Sequence, residues 1–179
     1  FVVGYNQAIL RTTNGGTTWT IQSGATISGP TLHYYGVSFT DVNNGFIVGL
    51  NGEIKRTTNG GTTWISSTSS GGQVHDVTGN FEELYGVSFI NANTGFIVSS
   101  GSFLRTTNGG TTWTRSYIFQ YGSLTSLLFT DINNGTAVGL NGTIIKTTNG
   151  GTTWTKHLSG TTENLWGVSF IGANIGTAV

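Results

Sequence analysis

The string TTNGGTTW stands at residues 12–19 and recurs letter for letter at 57–64, 106–113 and 147–154. Aligned on its last residue, the copies place Trp19, Trp64, Trp113 and Trp154 at separations of 45, 49 and 41 residues. A period of that length belongs to repeat architectures in which each copy is one supersecondary unit. Upstream of each box runs a second pattern. It reads YGVSFTDVNNGFIVGLNGEIKRT at 35–57, YGVSFINANTGFIVSSGSFLRT at 85–106 and TSLLFTDINNGTAVGLNGTIIKT at 125–147. A shorter copy, WGVSFIGANIGTAV, occupies 166–179, and the chain opens partway through another, FVVGYNQAILRT.

Each repeat resolves into four short apolar or β-branched runs separated by turn signals. GVSF precedes a DVNNG-type turn, GFIVG an LNG turn, EIKRT the Asn-Gly-Gly of the box, and TTWT follows. Asn-Gly pairs supply the positive φ values of tight hairpins. No window carries a 3.6-residue period, so helices are expected to be nearly absent. Four hairpin-linked strands every 40–50 residues describe a propeller blade. The expected class is all-β, with about four blades of four antiparallel strands, A to D from the axis outward. Residues 1–179 read as a single partial propeller region, with periods near 1–45, 46–95, 96–135 and 136–176 and a further period starting at 177–179. The same strand position recurs at Phe1–Val3 and Thr177–Val179, so these blades are expected to be part of a larger ring or of a repeating assembly. A self-closed four-blade ring is the remaining arrangement. Ends that fall in mid-strand read as a segment of a longer polypeptide, with any targeting signal outside it.

Composition narrows the function. Only 8% of residues are charged, seven of each sign, for a net charge of zero. A nucleic-acid binder carries a basic excess, so nucleic acid is not an expected partner. The chain has no Cys, which removes disulfides, thiolate catalysis and Cys-based metal sites. No apolar run is long enough to cross a bilayer as a helix. Solubility resting on hydroxyls and amides suggests an extracellular or cell-surface protein.

The box T-x-N-G-G-x-T-W is similar to the Asp-box of BNR-repeat propellers, with Asn where Asp is usual. The fuller frame, V-x-F-x-D-x-x-x-G-x-x-V-G-x-x-G-x-I-x-x-T-x-N-G-G-x-T-W, resembles the blade of photosystem II assembly/stability-factor-like propellers of the sialidase-like superfamily. The resemblance implies the propeller fold. It leaves function open among sialidases, other hydrolases, assembly factors and surface proteins.

The residues that could carry chemistry fall into four sets. The box residues Asn14, Gly16 and Trp19, with Asn59, Gly61 and Trp64, Asn108, Gly110 and Trp113, and Asn149, Gly151 and Trp154, are expected to be scaffold. In that reading Asn-Gly-Gly forms the turn, Thr13 and Thr17 serve its amides, and Trp packs between blades. A Gly-rich anion cradle is the competing reading, without the Lys and helix of a P-loop. The basic residue before each box (Arg11, Arg56, Arg105, Lys146) is expected to cover an aromatic or cap hairpin carbonyls. An anion-binding stripe is its alternative. Hydrolysis would need paired carboxylates. Asp41 and Asp131 instead sit at matching A–B turns, where they look like turn caps. The ligand face of a propeller collects the B–C turns and the D–A linkers. It is expected to present His75, Asp76, Glu82 and Glu83 from the longest linker, with Tyr35, Tyr85 and Trp166 at the starts of A strands. Tyr34, Tyr117, Phe119 and Tyr121 are placed in the linkers before them.

These observations favour a non-enzymatic scaffold, adhesin or filament unit with no cofactor and no metal. Its partners would be a protein, further copies of itself through open strand edges, or glycans, with no membrane insertion. The alternative is a fragment of a sialidase-like or other carbohydrate-active propeller enzyme, or a protein-assembly factor.

Overall fold

The computed structural model describes residues 1–22, 33–67, 79–172 and 174–179. The chain forms two compact units, Phe1–Leu84 and Tyr85–Val179. Its described residues hold seventeen β-strands, every pairing antiparallel, and helical structure only as four single 3₁₀ turns.

In the first unit, β1 (Val2–Val3), β2 (Ile9–Arg11) and β3 (Thr20–Ile21) pair in chain order as a three-stranded sheet. Its second sheet is β4 (Tyr34–Phe39), β5 (Gly45–Gly49), β6 (Ile54–Thr57) and β7 (Ile65–Ser66), again in chain order. The third sheet is β8 (Leu84–Phe89), which the second unit includes from Tyr85 on, β9 (Gly95–Ser99), β10 (Ser102–Thr106) and β11 (Thr114–Tyr117). The second unit continues with β12 (Leu124–Phe129), β13 (Gly135–Gly139), β14 (Ile144–Thr147) and β15 (Thr155–His157) as a further four-stranded sheet. A two-stranded sheet, β16 (Val168–Phe170) with β17 (Gly176–Ala178), follows.

Local chemistry accounts for this regularity. Asp41 closes the turn between β4 and β5, its Oδ1 accepting the Asn43 and Asn44 amides at 2.8 and 2.9 Å. Asn51 and Asn141 take φ of +59° and +55° in the B–C turns, the left-handed region that Asn tolerates better than most residues. Gly45 pairs with Phe39 across the β4–β5 ladder, and a methyl at Gly45 would lie 2.5 Å from the Phe39 ring. Gly95 against Phe89 and Gly135 against Phe129 repeat this at 2.3 and 2.6 Å. Each of these glycines lets an A-strand phenylalanine fold over its neighbour.

That ring then packs against the preceding sheet. Phe39 stacks on Phe1 with centroids 4.1 Å apart, and Phe129 on Phe96 at 3.6 Å. The box tryptophan stands edge-on to the stack. Trp64 lies 6.4 Å from Phe1 and 5.9 Å from Phe39, while Trp154 lies 5.2 Å from Phe103 and 6.1 Å from Phe129. Offset and edge-to-face pairs of this kind add to the apolar area that they bury.

Two details depart from the expected layout. TTWT does not form strand D. The box after its first threonine is the C–D connection, and β3, β7, β11 and β15 begin at the residue that follows its tryptophan. Tyr34 and Tyr117 are no linker residues either, because Tyr34 starts β4 and is 2% exposed, and Tyr117 ends β11 in register with Ser102.

Candidate functional site

The box is closed on itself. In the second copy Thr57 Oγ1 accepts the Asn59 and Gly61 amides at 3.3 and 2.9 Å and donates to Asn59 Oδ1 at 3.0 Å. Asn59 Oδ1 also accepts the Thr63 amide at 3.0 Å, and Asn59 Nδ2 donates to Thr63 Oγ1 at 2.9 Å. Thr62 Oγ1 donates to the Asn59 carbonyl at 2.9 Å, and the Gly60 amide to Asn43 O at 2.9 Å. Gly60 and Gly61 have φ of +66° and +81°, which only glycine adopts without strain. The bonds within the box recur around Asn14, Asn108 and Asn149, and the Gly60 bond at Gly109 and Gly150. The amides from Asn59 to Thr63 are all committed within the protein, so none of these five backbone amides is left to cradle an anion. The hydroxyl that serves the amides is that of the first threonine, Thr12 or Thr57, rather than of Thr13. Among the tryptophans, Trp154 is 8% exposed and Trp19 42%, with Trp64 and Trp113 between.

The basic residues before the boxes lie along strand C. Arg11 and Arg56 stand 5.8 Å over the Phe1 and Phe46 rings. Arg11 also reaches the next box, where a methyl at Gly60 would lie 3.6 Å from its Nη2, and Arg105 approaches Gly150 in the same manner. The three arginines are half-buried, whereas Lys146 is exposed. Arg105 also lines a cavity of about 260 Å³ with Phe103, Thr114, Ser116 and Gly151.

Three carboxylates, those of Asp41, Asp131 and Glu53, are engaged structurally. Asp41 and Asp131 are held below the usual carboxylate range, chiefly by side-chain hydrogen bonds from Asn44 and Asn134 and then by turn amides. Glu53 forms a salt bridge of 3.0 Å with Lys55, both side chains nearly buried, and accepts the Ser66 hydroxyl at 3.2 Å. Among the described residues no group of three or more His, Asp or Glu side chains could hold a metal.

On the loop face of the first unit, His33 Nδ1 accepts the Asn6 amide at 3.3 Å while its ring stands edge-on to Tyr5 at 4.5 Å. Asn164 does the same for Asn141 in the second unit, at 3.0 Å. His33 and Asn164, at the same repeat position, thus each cap the preceding B–C turn. Tyr35 is half-buried, and burial, the Glu83 charge and Tyr5 push its phenol up. Burial and then the Glu53 charge push Tyr34 up more strongly. Glu82 is buried and Glu83 half-buried, while His75 and Asp76 lie outside the described residues.

In the second unit Tyr85 is half-buried and Trp166 is 64% exposed. Tyr117 and Phe119 stack with centroids 5.3 Å apart, both about half exposed. Tyr121 donates to the Trp154 carbonyl at 2.6 Å, which pins that loop to the following box. Tyr5 was not marked by the sequence. Its only signal is a place in a B–C turn, and its proximity to His33 and Tyr35 arises where that turn packs against β4 of the next sheet.

A family model described as photosynthesis system II assembly factor YCF48 matches residues 1–65 and 30–120, together 120 of the 179 residues. No curated protein sequence matches the chain. Among solved structures, YCF48 bound to D1 peptide is similar at 25% identity and a TM-score of 0.59, over 69% of this chain and 40% of that one. YCF48 from Cyanidioschyzon merolae is similar at 23% identity and a TM-score of 0.56, over 70% of this chain and 37% of that one. An ancestral GH74 enzyme shares the fold at 19% identity and a TM-score of 0.59, over 84% of this chain and 22% of that one. The chain therefore spans about two fifths of the length of the YCF48 structures. The architecture is that of BNR-type β-propeller blades.

The extracellular or cell-surface location expected from composition is overturned by the family match, since an assembly factor of photosystem II works on a photosynthetic complex inside the cell. The low charge has a local cause instead. Every repeat spends its polar positions on Thr, Asn and Gly to build the box and its turns.

Proposed function

The chain belongs to the YCF48 family of photosystem II assembly factors, and on that premise we propose that it is a non-enzymatic propeller module that holds a segment of a partner protein during assembly. The observation that carries this reading is the likeness to YCF48 bound to D1 peptide, at 25% identity. The chemistry of the loop face agrees with it. Tyr5, His33 and Tyr35 in the first unit, and Tyr117, Phe119 and Trp166 in the second, offer ring faces and edges suited to a peptide's side chains. Asp41, Asp131 and Glu53 are taken up by turns and a salt bridge, which speaks against an acid–base pair for glycoside hydrolysis.

Titration of the chain with that D1 peptide, followed by calorimetry or anisotropy, tests the reading. Saturable binding that a scrambled peptide does not reproduce is expected. Equal binding of both peptides, or none, would remove it.

A further inference from the structure

The turn between β1 and β2 is held by a side chain that can change its charge. His33 Nδ1 accepts the Asn6 amide at 3.3 Å, and the ring stands edge-on to Tyr5, 4.5 Å away at an interplanar angle of 76°. Asn6 itself has a φ of +55°, in the left-handed region. The backbone at His33 is fixed by other bonds. His33 O accepts the Leu50 amide at 2.8 Å, and the Tyr34 amide donates to Gly4 O at 3.1 Å. A change at His33 is therefore taken up by its ring and by the turn.

An imidazole accepts through Nδ1 only when it is neutral, with its one proton on Nε2. A second proton makes Nδ1 a donor that faces the donor of Asn6, and attraction becomes repulsion. In the second unit Asn164 Oδ1 makes the same bond to the Asn141 amide at 3.0 Å, and a carboxamide does not titrate. Capping alone thus needs no histidine. Among the described residues, the ionisable groups gathered there are Tyr5 in the turn, Tyr35 on β4 and Glu83, whose charge reaches the Tyr35 phenol. Glu53, paired with Lys55, acts on Tyr34. Histidine is the residue type among these that gains a proton between about pH 8 and pH 5.

We infer that protonation of His33 releases this turn, so that the loop face of the first unit holds its partner segment at neutral pH and lets go in acid. The inference rests on the proposed function, in which Tyr5, His33 and Tyr35 belong to the peptide site. The cap is present above the imidazole range and is lost as pH falls through it. Without it Asn6 and the neighbouring Tyr5 lose their fixed geometry, and a ligand must then order the rings that it binds. An imidazolium still attracts the Tyr5 ring, but Tyr5 is 70% exposed, and that attraction orders neither the Asn6 amide nor the turn.

Two measurements on the whole chain test this, and the first needs no ligand. In nitrogen–proton correlation spectra taken from about pH 8 to pH 5, the Asn6 amide should titrate together with the His33 ring. In His33→Asn, which copies the cap of the second unit, that amide should stay in place. Calorimetric titration with the D1 peptide should show roughly fivefold weaker affinity at about pH 5.5 than at about pH 7.5 for the wild type. His33→Asn should change by less than about twofold. An Asn6 amide that ignores the His33 titration would overturn the inference and leave the proposed function standing, and so would a His33→Asn chain that keeps the wild-type pH dependence. A chain whose Asn6 amide titrates as expected but which binds no peptide at either pH would strike the proposed function, and the regulation with it.

Discussion

A threonine hydroxyl organises each box. Thr147 Oγ1 accepts the Gly151 and Asn149 amides at 3.0 and 3.3 Å and donates to Asn149 Oδ1 at 2.9 Å. Thr147→Val keeps the shape and strands a buried amide, and should cost about 2–3 kcal/mol in urea unfolding, with Thr147→Ser recovering most of it. A loss below about 0.5 kcal/mol would show the hydroxyl to be dispensable. Asp41 and Asp131 make a second residue-scale prediction. Their folded pKa values are depressed, so their contribution is present above the ordinary carboxylate range and is lost as pH falls through the folded values. Asn91, in the same turn position, accepts the Asn93 and Thr94 amides at 2.9 and 2.8 Å without a titrating group. Asp41→Asn/Asp131→Asn should therefore flatten the fall in melting temperature as pH drops below the ordinary carboxylate range, about pH 4. An unchanged acid limb would place the sensitivity elsewhere.

At the scale of elements, the box matters through what its tryptophan touches. Trp154 is 8% exposed against Phe103 and Phe129, whereas the identical Trp19 is 42% exposed. Trp154→Ala should destabilise by about 3–5 kcal/mol. Trp19→Ala should cost less than half as much by the same denaturant measurement. Equal losses would mean that the turn, not the packing, sets the cost. The strand runs, the Asn-Gly turns and the Asp41-type caps were legible in the sequence because each is a local device with its own residue signature. Where strand D begins was not legible. TTWT looks like a strand, but the hydrogen bonds around Asn59 hold Thr62 and Thr63 in the loop. Tyr34 was misplaced for a related reason. A tyrosine beside His33 reads as linker, and only pairing with Gly49 makes it a buried strand residue.

Over the whole chain, seven charges of each sign leave little for salt to screen. Melting temperature should move by no more than roughly 2 °C between 50 mM and 500 mM sodium chloride. A larger shift would reveal an electrostatic term that net neutrality hides. The sequence by itself determined the repeat, the all-β class and the blade, because hairpin turns and alternating strands depend on neighbours in the chain. It also carried the family resemblance, since the box and frame are contiguous. The location could not be read from composition, because hydroxyl-rich turns answer to the fold and not to the compartment. Only the tertiary structure decided which side chains meet: His33 with Asn6 and Tyr5, Phe103 with Phe129 and Trp154. Several of these contacts join residues far apart in sequence, and all depend on strand register and sheet packing, which no local pattern encodes.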